Sequence, residues 1–339
     1  MNYIKSSLLL IFLIFSFLTF SFIAAYKAYL NDIPNYEIET IDIYPGESIN
    51  NVISKFSSHN FINKLFIKIF LKIENISDFK SGEYDINQMT MKEIIFLMSE
   101  GDTITHKFII KEGSNIYEIE DLINDSYLVN DCENLNCLDN YFPYLEGVLY
   151  PDTYFYKKGM NASTILKKSN KRLNDLLDDI LKDKNLDSIL DKNNILILAS
   201  IIEKEAGNDY EKPLIASVFI KRLSINMRLQ ADPTIIYGLM PYFDGDIKKS
   251  DILNSNNKYN TYMINGLPPT PIAISSESSI LAAVNATPGE YLFFVADSPN
   301  SHYFSKSYDE HLNKIKELGL NKWRFYLLKE LKVLVSQPK

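Results

Sequence analysis

Residues 193–206 read NNILILASIIEKEA, an apolar run that closes on two glutamates. At 100° per residue this run predicts a helix over about Asn194–Ala206. Glu205 then stands above Leu198, Ile201 and Ile202 and continues the apolar stripe. Glu203 points to the opposite side, over Leu196, Ala199 and Ser200, a smaller and more mixed face. A carboxyl held against apolar side chains loses the hydration of its charged form, which suits it to acid chemistry near neutral pH. Periodicity leaves a second reading equally open. In that reading Glu205 is an ordinary last-turn residue facing solvent where the chain leaves the helix at Gly207.

On the N-terminal side lies the uncharged run SSLLLIFLIFSFLTFSFIAAY, residues 6–26. Its length matches the ~20 apolar residues that cross a bilayer as a helix. Lys5 precedes it and Asp32, Glu37, Glu39 and Asp42 follow it, so the charge bias predicts a cytoplasmic N-terminus and an exported remainder. A cleaved signal peptide is the alternative, although the run exceeds a usual apolar core and Ala24–Ala25 before Tyr26–Lys27 is an indifferent cleavage site. Beyond the anchor, alternation predicts a strand over Ile38–Tyr44, stopped by Pro45–Gly46. Ser48 then caps a helix whose face is Ile49, Val52, Ile53 and Phe56. A helix over Phe61–Lys72, apolar nearly all round, is expected to be buried or docked. FKSGEYDI reads as a strand, and Thr90–Glu93 as a capping box for a helix that ends near Gly101. Thr103–Ile110 reads as a strand, and Ser114 as the cap of a helix through Ile123. The polar stretch Asp125–Asn140 is a plausible domain seam. A helix over Ser163–Leu181 follows, and after residue 206 come short segments dense in Pro, Gly, Tyr and Asn.

Composition narrows the function. The 339 residues carry a net charge of −8, 46% apolar and 13% aromatic residues. Such a chain folds, and its acidic balance argues against nucleic acid as a partner. The four histidines, 59, 106, 302 and 311, form no HExxH pair. Neither a GxSxG elbow nor a phosphate-binding glycine loop is present. Cys132 and Cys137 read as two loop thiols or one optional disulfide, not as a zinc site. Carboxylates remain as the groups able to carry chemistry.

Four further stretches share one texture: YLEGVLYPDTYFY (144–156), RLQADPTIIYGL (228–239), YNTYMINGLPP (259–269) and FFVADSPNSHYF (293–304). Each is a Pro- or Gly-bounded turn that sets acids or amides among aromatic rings, as a carbohydrate groove requires; each also suits the core of a turn-rich domain. In chain order, LEGVLYPDTY, ASIIEKEA, SVFIKRL, RLQADPTIIYG, YNTY, GLPPTPIA and FVADSPNSHYFSKSYDEH resemble the YceG-like endolytic murein transglycosylases, the MltG family. The likeness extends over essentially the whole chain. It implies an α+β protein with a transmembrane helix over 6–30, a small LysM-like α+β subdomain over 38–112 and a larger α+β catalytic domain over 113–339. Where relatives often carry Asn-Pro-Gly after the PIA segment, this chain has Ile274–Ser275–Ser276.

The resemblance also implies a reaction. The family's catalytic glutamate falls on Glu205, which makes the chain a lyase that cuts the MurNAc–GlcNAc bond of peptidoglycan and leaves 1,6-anhydro ends. Glu146, Asp152, Gln230, Asp232 and Asn260 are expected to hold sugar hydroxyls or offset positive charge at C1, with Tyr237 and Tyr262 against sugar faces. Glu203 should matter much less to the chemistry. No metal or cofactor is implied. The implied partners are glycan strands, membrane-bound peptidoglycan synthases and the cytoplasmic membrane. The linker Asn31–Ile38 is expected to hold the folded part within roughly 30 Å of the bilayer, near nascent strands. Two other readings compete: a glycoside hydrolase with Asp152 or Asp232 as second carboxylate, and a non-catalytic glycan-binding scaffold.

Overall fold

A computed structural model describes residues 2–34, 38–56, 60–138, 141–182 and 190–320. Glu37, His59 and the tail of the expected catalytic domain from residue 321 lie outside the described residues. The fold is mixed α and β, with three two-stranded sheets among the described residues. By its contacts the chain divides into two units, 1–107 with 155–160, and 108–154 with 161–339. The polar stretch 125–138 thus lies inside the second unit.

The first unit follows the expected β-α-α-β-α order. Strand β1 (Thr40–Ile43) pairs antiparallel with β2 (Gly82–Asp85), Ile41 opposite Tyr84. Helix α2 (Ile49–Phe56) buries Val52, Ile53 and Phe56, the face that its spacing predicts. Helix α3 (Phe61–Ile73) is buried only along Phe66, Ile67, Phe70 and Leu71, so it is docked by one face instead of enclosed. Helix α4 (Met91–Glu100) opens on the Thr90–Glu93 capping box and stops at Gly101, whose φ of 79° suits a residue without Cβ. Segment 155–160 completes this unit. There Lys158 reaches Asp42 at 2.8 Å and Glu83 at 3.3 Å, and His106 holds the other Glu83 oxygen at 2.6 Å.

Helix α1 (Asn2–Asn31) contains the apolar stretch Ile4–Asn31, whose most apolar 18 residues have a mean hydropathy of 2.7 and are not packed inside the protein. Its last turns behave differently from the rest. Leu30 is 5% exposed and belongs to the core formed with Ile67, Phe70, Leu71 and Met91, and the Met91 N–H donates to Asp32 O. The start of the short linker expected over Asn31–Ile38 is therefore a helix end built into the unit.

The second unit starts within β3 (His106–Ile110), which pairs with β4 (Asp152–Tyr156). Helix α5 (Ile116–Asn124) is capped by Asn115, not by Ser114 as expected. The Asn115 side chain accepts from the N–H groups of Tyr117 and Glu118. The backbone of Ser114 is engaged elsewhere, accepting from Ile274 N–H. Cys132 and Cys137 are joined as a disulfide. Helix α6 (Ala162–Leu181) lays Ile165, Leu166, Leu173 and Leu177 on the core. Helix α7 (Lys192–Glu205) follows, and every residue from Ile195 to Ile202 is buried. The chain after it is more regular than its composition suggests: α8 (Lys212–Ser224), α9 (Asp232–Leu239), α10 (Lys249–Ile252) and α11 (Glu277–Val284), then hairpin β5 (Phe293–Ser298) to β6 (Ser301–Ser305) and α12 (Tyr308–Glu317). Pro213 and Pro233 sit in the first turns of α8 and α9, where a missing N–H costs no hydrogen bond, so these prolines start helices.

Docking of the α1 terminus yields a stability prediction. Leu30→Ala in the full-length chain should lower the unfolding free energy of the first unit by about 2–4 kcal/mol. Denaturant titration in detergent reads it, and a change within error would mean that the helix end is not part of that core.

Candidate active site

Helix α7 packs against α8, α9 and α11 and is surrounded by protein, so both of its faces are interior. This changes the status of Glu203. Its side chain is 9% exposed, and one oxygen, Oε2, accepts from the Ser276 hydroxyl at 2.5 Å, the Ser279 hydroxyl at 2.6 Å and the Ser276 N–H at 3.0 Å. Lys212 Nζ stands 3.2 Å away, itself shared with Asp209, Ser276 and Ser278. Burial alone would push the Glu203 pKa up, but those hydroxyls, the N–H and the ammonium outweigh it and hold the carboxyl below its ordinary value. Glu203 is thus a structural anion and cannot supply a proton at neutral pH. The face read as smaller and more mixed is the one that bolts α7 to α11.

The segment on which this chain departs from its look-alikes takes part in that bolt. Ser276 caps α11, accepting from Ser279 N–H, while Ile274 exchanges backbone hydrogen bonds with Gly113 and Ser114. Two residues beyond Glu203, in the last turn of α7, Glu205 is half-buried. After Ala206 comes Gly207, where a Cβ would come within 2.7 Å of the Asn300 backbone in the turn of the β5–β6 hairpin. Asn208 Nδ2 donates to Asn300 O at 2.6 Å, and Glu211 holds His302 through its N–H at 2.6 Å and its Nδ1 at 2.8 Å. The FVADSPNSHYF hairpin is therefore pinned to the chain leaving Glu205.

A second element converges on the same place. Arg222 of α8 is buried, donates Nε to Leu292 O at 2.8 Å and an Nη to Leu229 O, and lies 5.4 Å from the Phe293 ring centre. Burial pushes its pKa down to about 10 against the pull of Tyr262 and Glu205, so both lie within its electrostatic reach. By gripping Leu229 it fixes the loop in which Gln230 takes a left-handed φ of 52°, a conformation unusual for a residue with a Cβ. The Gln230 N–H donates to Thr261 O, and Arg228 donates to Tyr262 O at 2.9 Å. The Tyr262 hydroxyl donates to Asp232 at 2.8 Å. Gln230, Asp232, Asn260 and Tyr262 are thus brought together on two loops zipped over the buried Thr234–Thr261 hydroxyl pair.

The remaining candidates are placed differently. Asn260 is fully buried, its amide donating to the carbonyls of Asp251, Ile252 and Asn254 and its oxygen accepting from Tyr262 N–H, so its hydrogen bonds shape the loop. Glu146 is buried as well, accepting from Ile116 N–H at 2.9 Å at the start of α5 and from Gly147 N–H at 2.8 Å. Burial pushes its pKa up to about 7, opposed by Ile116 N–H, the Tyr237 hydroxyl and Gly147 N–H. Tyr237 lies edge-on to Tyr259 with ring centres 4.8 Å apart, and its hydroxyl is pushed well above the ordinary phenol range by burial and by Glu146. Asp152 sits apart on β4, where Thr153 N–H and the paired Arg172 hold it below the usual carboxylate range.

The comparisons with known proteins fall on these elements. The YceG-like family profile matches residues 41–317, which include every candidate residue. The chain belongs to the YceG-like family. It is 30% identical over 306 residues to the endolytic murein transglycosylase of Bacillus subtilis strain 168, spanning 82% of this chain and 83% of that protein. It is 25% identical to the protein of the same name in Streptococcus pneumoniae strain R6, spanning 82% of this chain but 58% of that longer protein. In structure it resembles a putative yceG-like protein of Listeria monocytogenes, with a TM-score of 0.54 and 29% identity over 81% of this chain and 98% of that one.

Within this YceG-like chain, sequence reasoning passed over Lys212, Arg222, Ser276 and Ser279. Buried cations next to carboxylates leave no periodic signature, and the adjacent Lys221 and Arg222 of SVFIKRL do not announce which of the two is buried. Two predictions follow from the electrostatics. Glu203→Gln leaves buried Lys212 short of a counter-charge and should cost of order 3 kcal/mol at neutral pH. Because the folded pKa of Glu203 is depressed, this contribution is present above the unfolded value of about 4.3 and is lost as pH falls through the lower folded value. Denaturant midpoints of both proteins against pH should therefore converge in acid. A constant gap would contradict the ionised assignment.

Glu146 has the opposite sign. Its folded pKa is raised, so its contribution is fully present below the unfolded value and is lost as pH rises from about 4.3 to about 7. The melting temperature of the wild type relative to Glu146→Gln should accordingly fall between about pH 5 and pH 7. A difference that does not change with pH would show that Glu146 is ionised throughout.

Proposed function

We propose that this protein is an endolytic murein transglycosylase, a lyase acting on peptidoglycan glycan strands, with Glu205 as its catalytic acid and base. The observations that carry the residue assignment are that Glu203 is held ionised in a structural role, and that half-buried Glu205 stands in the last turn of α7 within electrostatic reach of Arg222, just before the Gly207–Asn208 stretch that takes the β5–β6 turn. Membership of the YceG-like family, whose relatives in B. subtilis and S. pneumoniae carry that name, supports the activity.

In the proposed reaction the Glu205 carboxyl gives its proton to the glycosidic oxygen as the bond from MurNAc C1 to that oxygen breaks. The resulting carboxylate takes the proton of the same sugar's C6 hydroxyl, whose oxygen closes on C1 as a 1,6-anhydro ring. Glu205 ends as it began, protonated, and no water is consumed. One carboxyl suffices because the nucleophile is intramolecular and already near C1. Gln230, Asp232 and Tyr262 would contact the sugar, whereas Glu146, Tyr237 and Asn260 would act through the loops that they fix. Asp152 would lie at the periphery.

Placement belongs to the same reading. Helix α1 would span the cytoplasmic membrane once, N-terminus inside, with both folded units outside. The Cys132–Cys137 disulfide suits that oxidising side. The first unit would be the LysM-like part. An anchored cutter of this kind would meet nascent strands beside the membrane-bound synthases and would end their growth.

Glycan strands incubated with the protein and read by mass spectrometry should show 1,6-anhydro ends. Glu205→Gln should lower cleavage by at least about 10²-fold with an unchanged melting temperature. Reducing ends would indicate a hydrolase instead, and no cleavage a binding scaffold. A Glu205→Gln protein that keeps more than roughly a tenth of the activity would remove Glu205 from the role.

A further inference from the structure

We propose that helix α3 is a membrane-interface helix that seats on the anionic phospholipid leaflet from which α1 emerges. This rests on reading α1 as a membrane span. The argument starts from one ring. Phe66 of α3 lies against Phe22, Tyr26 and Tyr29 of α1, with ring centres 5.3, 5.7 and 5.8 Å apart. Phe22 falls inside the uncharged run that ends at Tyr26, and Phe22 to Tyr29 covers only ~10 Å along the axis. A helix that touches both levels lies at the depth of the headgroups, where Tyr side chains gather at the ends of spans.

The surface of α3 fits that depth. Residues 62, 66, 69 and 73 form one stripe at i, i+4, i+7 and i+11. Phe66 is covered, but Ile62 is 52% and Ile73 61% exposed at its two ends, and Phe61 beside it is 77% exposed. About a third of a turn round the helix, on the side of Phe61, runs a ridge of Lys64, Lys68 and Lys72, four residues apart, with no acid inside the helix and Glu74 as its C-cap. Among the described residues none of these lysines pairs with a carboxylate, whereas Lys158, Lys171, Lys212 and Lys248 all do. Bare apolar side chains flanked by unpaired lysines are the pattern of a helix lying in an anionic interface, stems in the acyl boundary and ammonium groups at the phosphates.

The test uses full-length protein reconstituted into vesicles of brominated or plain lipid, with and without phosphatidylglycerol. Trp323 is the chain's one tryptophan and is replaced by Phe. Single reporters are then Ile62→Trp and, inside the span, Phe15→Trp. Both should be quenched by brominated lipid. Quenching of the Ile62→Trp reporter should be stronger with phosphatidylglycerol and should fall by roughly half or more when Lys64, Lys68 and Lys72 are changed to Glu. If Phe15→Trp is quenched and Ile62→Trp is not, the interface helix is overturned while the span stands. If neither is quenched, the span itself falls. Quenching of Ile62→Trp that ignores both phosphatidylglycerol and the lysine reversal overturns the anionic preference.

Discussion

The structure around the candidate site depends on one buried anion. Glu203 gathers two serine hydroxyls, one N–H and the Lys212 ammonium onto a single carboxylate oxygen, and so joins α7, α8 and α11 at one point. A buried charge left unpaired is expensive, so these helices are constrained to meet there. Glu205, two residues on, therefore leaves the helix bundle in a fixed direction.

Around that exit each surrounding element is held by a separate device. Gly207 and Asn208 admit the β5–β6 turn, Glu211 clasps His302, and Arg222 holds the strained loop at Gln230. Asn260 closes the facing loop on its own backbone. Rigid support of this kind is what proximity catalysis needs, since a small displacement of an acid from its target bond costs rate steeply. These polar side chains spend their hydrogen bonds on fixing the backbone around the exit of α7.

The first unit shows the same economy in a different setting. Its core takes in Leu30 at the end of an otherwise bare apolar helix, so that helix and the folded unit share side chains. A flexible join would allow the unit to tumble against the helix. A helix end inside the core does not, and it sets α3 beside the aromatic residues of α1.

Much of this was written in the sequence. The apolar run of α1, the face of α2, the Thr90–Glu93 capping box and the buried helix ending in EKE all follow from periodicity and capping, which act over one or two turns. The ordered motifs also specified the family. The tertiary structure decided the rest. Helix α5 begins at Asn115 because a distant strand of chain, Ile274, occupies Ser114. Glu203 is buried because α11 covers the smaller and more mixed face of α7, Glu146 turns inward to the Ile116 N–H thirty residues back, and Asn260 turns inward to the carbonyls of its own loop. Which partners the buried carboxylates find is fixed by the fold, since Ser276 and Ser279 lie more than seventy residues from Glu203 and Ile116 lies thirty from Glu146, beyond the reach of any local pattern.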